Sequence, residues 1–296
     1  MPESPRRLLI ACLLVGCAIW RVAFINKDIA LTFLLVAYAS VQLTALRRGR
    51  AGWWIGAGAL LGVVNLCKPT FLLWPLVLLP LARRDRVRPA QVGALVLAAT
   101  LVILPWALRN YRVTQGEVLP IATENGGLTT FVGNYQPTHG LWEGPGKPEW
   151  MAAVDEVRRR HPGASVVELD RAFYRAAWDQ IRSNPPTAME LAVRKLGRFW
   201  FLSAARRAPA ASLLIQGLWL AFGAVGLWIL RPWSPGTRLM LGLVLYVMAI
   251  HALTYADLRF SLPVAPFVAA FGGEALRAAA QRRGPHAGSG RSGRTA

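Results

Sequence analysis

Clusters of arginine interrupt this chain at intervals, and apolar segments fill the space between them. The clusters are Arg6 and Arg7; Arg47, Arg48 and Arg50; Arg83, Arg84, Arg86 and Arg88; Arg231 and Arg238; and Arg277, Arg282, Arg283, Arg291 and Arg294. Such alternation is the positive-inside pattern of a polytopic membrane protein, in which the basic loops stay on one side and the apolar segments cross. The hydrophobic share of 54% and mean hydropathy of +0.35 agree, since an ordinary soluble domain reaches about 45–50% even with Gly counted. A formal net charge of +19 would suggest a nucleic-acid partner in a soluble protein. Here the charge sits at the ends of apolar segments, which excludes nucleic acid as the expected partner.

Taken in order, the apolar segments are 8–25, 29–46, 52–67, 70–82, 90–108, 210–230, 239–256 and 260–276. Eight segments predict an all-α, polytopic integral membrane protein of about eight transmembrane helices. The segments 52–67 and 70–82 are short against the roughly 20 residues a span prefers, so they read as a tight pair or a re-entrant hairpin. The region from Arg109 to Arg198 carries twelve basic and ten acidic residues. Being close to neutral, it is free to sit outside as one large periplasmic insertion. The expected division is an integral membrane domain over 1–276, with that insertion at 109–198, and a disordered basic cytoplasmic tail over 277–296.

Inside the insertion, Ser165 and Glu168 have the spacing of a helix-capping box, and Thr187 and Glu190 repeat it. After the second pair, Met189, Ala192, Val193, Leu196, Phe199 and Trp200 form one apolar stripe, with Arg194, Lys195 and Arg198 on the other side. That pattern predicts an amphipathic helix lying on the outer membrane surface. Asn125, Gly126, Gly127, Gly133 and Asn134 read as turn residues. Trp142, Trp150 and Trp178 read as packing or interfacial anchors, with stacking on a sugar or lipid as the alternative. Cys12, Cys17 and Cys67 fall in apolar segments, as small buried residues do.

The run LPWALRNYRV, the extended segment ending at Pro120, then ENGG and FVGNYQPTHGLW, together with LRFSLPVAP near the end, resemble the corresponding pieces of bacterial membrane glycosyltransferases of family 39. These are GT-C enzymes related to protein O-mannosyltransferases and lipid A aminoarabinose transferases. The resemblance covers about Asn26 to Glu274. It implies a polyprenyl-phosphate sugar donor, a lipid, glycan or protein acceptor, and action at the periplasmic face of the inner membrane. Transfer of that kind needs a carboxylate base for the acceptor hydroxyl, and cations, metal or side chain, for the departing lipid phosphate.

Four ionisable groups converge on one side by this topology: Asp28, Lys68, Arg109 and Arg259. Charges at membrane depth cost about 2.5–3.5 kcal/mol on insertion scales and are kept where they line a cavity or bind something. At helix ends, snorkelling to the interface is the competing use. The resemblance gives Asp28, in NKDIALTFLLVAY, a role in positioning the acceptor or a divalent cation. It places Lys68, in NLCKPT, and Arg259, in LRFSLP, against the donor phosphate. His251 reads as a hydrogen-bonded structural histidine or, alternatively, a ligand.

The chain departs from the family pattern at its start. The family's catalytic acid lies in a first outer loop, and between Met1 and Ile25 the only acid is Glu3. The chain therefore reads as N-terminally shortened and without that base, with Glu124 of ENGG as a candidate substitute. The expected function is handling of a polyprenyl-phosphate sugar by a glycosyltransferase-like membrane protein. A non-catalytic or split-enzyme subunit is the rival. A transporter would show polar residues at mid-span and broken helices in repeated halves, and the sequence has neither.

Overall fold

The computed structural model describes residues 27–85, 87–116, 125–142, 146–202 and 210–282. The expected first span at 8–25, with Cys12 and Cys17, lies outside the described residues, as does Glu124. Among the described residues the fold is all-helical, with no strand. The helices are α1 (Lys27–Arg48), α2 (Ala51–Cys67), α3 (Trp74–Arg84), α4 (Pro89–Val113), α5 (Gly126–Asn134), α6 (Lys147–Arg159), α7 (Val166–Ser183), α8 (Pro185–Phe201), α9 (Ala210–Ile229), α10 (Pro235–Leu253) and α11 (Ala265–Arg282). Short 3-10 turns stand at Pro69–Phe71, Gln136–Thr138 and Leu258–Val264.

Three helices, α1, α4 and α10, are long and apolar enough to cross a membrane, and α2 and residues Leu213–Ile229 of α9 are apolar but shorter. Their outward faces are apolar too, as Phe33, Leu97, Leu101, Phe222 and Leu245 show by being exposed. That is the surface a lipid-facing helix presents and a water-facing one avoids. Helix α3 has 11 residues, which at 1.5 Å each gives about 16 Å, against a hydrocarbon core of about 30 Å. The chain still travels between the two ends of the bundle there, because the 3-10 turn at Pro69–Phe71 covers part of the distance.

Close backbone packing holds the bundle together. Gly58 and Gly62 of α2 have G-x-x-x-G spacing, and an added Cβ at Gly58 would overlap the Leu95 carbonyl oxygen of α4. At Gly62 it would come within 2.9 Å of the Ala99 carbonyl oxygen. Small residues at this spacing let two helices approach to backbone contact, where dispersion can hold them without a hydrophobic driving force. Both contacts advance in the same direction, so α2 and α4 run parallel. Deeper in the core, the buried Trp74 indole donates to the Tyr38 hydroxyl at 2.6 Å, and the Tyr246 hydroxyl donates to the Thr70 carbonyl at 2.6 Å. Both polar tips are thereby satisfied where water is excluded.

The two ends of the bundle differ in chemistry. At one, Arg238 near the start of α10 pairs with Asp85, at the end of α3. At the other end, the start of α1, the end of α2 and the turn after α10 meet. Helices α5 to α8 join α10 at that second end, with a small core of their own built from Phe131, Val132, Trp150, Val154, Phe173 and Ala177.

Several expectations are corrected. Residues 126–134 form helix α5 rather than turns. Tertiary contact stabilises it: the Gly127 N–H donates to the Asp170 carboxylate at 2.7 Å, and a Cβ at Gly127 would overlap the Asp170 backbone. Helix α4 continues past Arg109 to Val113, because the apolar run ends there but arginine and tyrosine remain compatible with a helix. It stops at Thr114, before Gln115 and Gly116 take positive φ. Ser165 and Glu168 do form the expected capping box, with bonds of 3.2 and 2.9 Å. The next helix, however, is capped by Asn184, which accepts from the Thr187 N–H at 3.2 Å. Pro185 and Pro186 fix helical φ in the first turn and start α8 earlier. The last apolar segment begins as the 3-10 turn Leu258–Val264, and α11 runs to Arg282, so residues 277–282 are helical rather than disordered.

Candidate functional site

Asp28 stands in the first turn of α1, and Lys68 ends α2 in an extended conformation. The change from helical to extended backbone at Lys68 precedes Pro69, which disfavours a helical residue before it. It also turns the ammonium group back toward α1. Lys68 Nζ lies 3.5 Å from the Asp28 carboxylate, whose side chain is 1% exposed. The same nitrogen lies over the ring of Phe260, 4.0 Å from its centroid.

Phe260 belongs to the turn that follows α10. Asp257 caps that turn by accepting from the Arg259 N–H at 3.1 Å, which leaves the Arg259 side chain exposed and its guanidinium 5.0 Å from the centroid of Phe260. Two cations from segments far apart in sequence thus share one aromatic ring. His251 stacks on that ring at 4.3 Å, and its Nδ1 lies 2.8 Å from the Tyr255 carbonyl oxygen. A narrow cleft beside the group is lined by Leu31, Lys68, Thr70, Phe71, Val247, His251, Phe260 and Pro263. Lys68 is the one charged side chain among these, and it stands among mostly apolar neighbours.

No family model, curated protein or solved structure matches this chain.

Of the residues singled out from the sequence, Asp28, Lys68 and Arg259 come together, while Arg109 has its contacts elsewhere. Its guanidinium lies over Trp106, 4.8 Å from the ring centroid, and donates to the Asn110 side chain at 3.1 Å. Both partners are on its own helix, which continues beyond it and so carries it away from a helix end. Among the described residues no group of three or more His, Cys, Asp or Glu is arranged to hold a metal ion. At Asp28, the Lys68 ammonium already stands where a counter-cation would. A divalent cation does not fit this donor set, and Lys68 and Arg259 are the cations these described residues offer an anion.

Sequence reading placed Lys195 on the outward side of an amphipathic surface helix, and this is corrected. Leu191, Lys195 and Phe199 follow at four-residue spacing and share the buried face of α8, with Lys195 only 1% exposed. Lys195 Nζ donates to the Asn134 side-chain oxygen at 2.8 Å and to the Thr254 carbonyl at 2.9 Å. Burial, with the Arg198 guanidinium adding to it, pushes the ammonium down to about 7. The expected apolar stripe is divided: Phe199 and Trp200 are buried, while Met189 and Val193 face outward. Phe199 also packs against His251, with centroids 5.8 Å apart, which ties α8 to the cleft. Trp142 and Trp150 pack on each other at 5.0 Å, which is the packing use rather than the interfacial one.

Proposed function

We propose that this chain is a glycosyltransferase-like membrane protein of the family 39 type, handling a polyprenyl-phosphate sugar at the periplasmic face of the bacterial inner membrane. The observation that carries the proposal is the pairing of Lys68 and Arg259 over Phe260, at the end of helices able to cross a bilayer. A lipid phosphate needs cations for its head and apolar surface for its tail. Arg259 offers a planar fork to phosphate oxygens and Lys68 a point charge. In transfer, the lipid phosphate is the leaving group, so fixed cations beside it lower the barrier as charge develops. The arrangement has about eight spans in this proposal. The region 109–198 is periplasmic and the arginine-rich ends are cytoplasmic. The acceptor is a hydroxyl of a lipid, glycan or protein.

A second reading, a non-catalytic subunit that binds the donor, is favoured by the state of Asp28. Its side chain is buried and faces Lys68, so it is placed to hold the ammonium in position rather than to reach an acceptor hydroxyl. The test is release of sugar from labelled polyprenyl-phosphate donor by the purified protein in lipid vesicles. Turnover abolished by Asp28→Asn supports a transferase that uses this carboxylate. Donor binding without turnover supports the subunit, and absence of both would reject the family 39 proposal.

A further inference from the structure

At the opposite end of the bundle, two turns that are separate in sequence form one basic rim. The first, between α1 and α2, carries Arg47, Arg48 and Arg50. The second, between α3 and α4, carries Arg83, Arg84 and Arg88, and all six side chains are exposed. Gln91 joins the turns. Its side-chain nitrogen donates to the Gly49 carbonyl at 2.7 Å, and its side-chain oxygen accepts from the Arg88 N–H at 3.0 Å.

The acid that could neutralise this rim is turned away from it. Asp85 pairs with Arg238, and its side chain is 4% exposed. Among the described residues none of the six arginines forms an ion pair with a carboxylate. Further along the same two helices lies apolar surface: Ile55, about one turn into α2, and Leu97, deeper along α4, are 51% and 60% exposed. Half-buried Trp53 sits at the boundary with the Arg48 guanidinium 5.4 Å from its ring centroid. A belt of cations above exposed aliphatic side chains, with an aromatic between them, matches a phospholipid in both its parts. The phosphate meets guanidinium and the acyl chain meets Ile55 and Leu97.

We propose that this rim is a binding site for anionic phospholipid headgroups. Basic groups near a membrane surface each contribute roughly a factor of five in attraction to anionic lipid, and arginine adds bidentate contact with phosphate. A soluble polyanion would satisfy the charges but not the apolar surface beyond them, which is why the lipid is the occupant.

The test uses the full chain in phosphatidylcholine vesicles containing spin-labelled phosphatidylglycerol or spin-labelled phosphatidylcholine, with the motionally restricted fraction read for each. The expected result is a preference for phosphatidylglycerol of about fivefold or more. It should fall by at least about fivefold, the share of a single arginine, in the triple variant Arg47→Gln, Arg48→Gln, Arg50→Gln, and by at least as much in Arg83→Gln, Arg84→Gln, Arg88→Gln. The control triple Arg158→Gln, Arg159→Gln, Arg160→Gln, on α6, should leave it unchanged. Since removing basic residues can disturb insertion, the wild-type chain provides a second measurement. Raising ionic strength from about 0.01 to about 1 M shortens the Debye length from roughly 30 to 3 Å, and the preference should shrink accordingly. Equal restriction of both lipids by the wild type would overturn the proposal. So would a preference indifferent to salt, one lost equally in the control, or displacement of the lipid by inorganic pyrophosphate as effective as by phosphatidylglycerol.

Discussion

The side-chain nitrogen of Lys195 donates to the side-chain oxygen of Asn134 at 2.8 Å, joining helices that lie 61 residues apart in the chain. Its other acceptor is the Thr254 carbonyl. A neutral amine has two N–H donors, and the two acceptors satisfy both. An ammonium would bring a third. Burial and Arg198 together favour the neutral form, bringing the group down from 10.5 to about 7. Asn134 completes the junction by donating to the Leu253 carbonyl at 2.9 Å, and a Cβ at Gly133 would overlap the Thr254 carbonyl. Helices α5, α8 and α10 therefore meet around one lysine.

A pH dependence follows, and its sign is fixed by linkage. Between about pH 7 and pH 10.5 the unfolded chain binds a proton at Lys195 that the folded chain does not, so folding stability rises with pH across that window. Below about 7 both states are protonated and the contribution is constant. The slope has a ceiling of about 1.4 kcal/mol per pH unit. Other groups near Lys195, including Arg198 on its own helix and His251 and Tyr255 from α10 and the turn after it, are common to the wild type and Lys195→Met. The difference in their unfolding midpoints should change with pH from about 7 to 10. A difference independent of pH would mean that Lys195 is charged throughout.

Removing the other side of this junction should be costly. Asn134→Ala leaves the buried Lys195 with a single acceptor, at about 1–3 kcal/mol for a stranded buried group. Limited proteolysis should then cut within 146–183 at lower protease concentration than in the wild type. Unchanged protection would show that the contact contributes nothing to stability.

The packing of α2 on α4 can be tested at Gly58. Leucine there would force the backbones apart, with overpacking typically costing about 1–3 kcal/mol. Gly52→Leu is the control, since nothing lies within 4 Å of an added Cβ at that position. Thermal unfolding in detergent should show a lowered midpoint for the first variant only, and equal midpoints would contradict the close approach.

Reporters of sidedness test the orientation. Fusions after Arg48 and after Arg238 should report the cytoplasm, and an insertion at Gly146 should report the periplasm. A cytoplasmic signal at Gly146 would place the Lys68 and Arg259 end on the wrong side for the proposed donor.

What the sequence revealed was mainly what periodicity and charge can reveal. The apolar runs at 29–46, 90–108 and 239–256 became α1, α4 and α10, because long apolar segments have few alternatives to a helix. Asp28, Lys68 and Arg259 stand out in the sequence as charges at the ends of apolar runs, and the fold brings them together. Phe260 does not stand out, since an aromatic within LRFSLP looks like any core residue until the cations above it are seen. Lys195 was misplaced for a related reason. In a helix with basic residues at 194, 195 and 198, nothing local says which one turns inward; the acceptors that decide it come from Asn134 and Thr254. Helix α5 was hidden by its glycines, whose use here is close approach to Asp170 and Thr254 rather than turning. Its N-terminus is held by Asp170, a partner 43 residues away.

The most direct measurement of the central claim is equilibrium binding of a polyprenyl-phosphate sugar to the protein in nanodiscs, compared across the wild type, Lys68→Gln, Arg259→Gln and the double variant. Charge-assisted hydrogen bonds are worth about 1.5–3 kcal/mol, so each single variant should weaken binding by roughly 10- to 100-fold. Both cations sit over the one Phe260 ring, so if they share one phosphate, as proposed, the double variant should lose less than the product of the two single losses. An unphosphorylated polyprenol should bind all four proteins alike. Donor affinity that is the same in all four, or that matches the unphosphorylated lipid, would contradict the assignment of Lys68 and Arg259 to the phosphate.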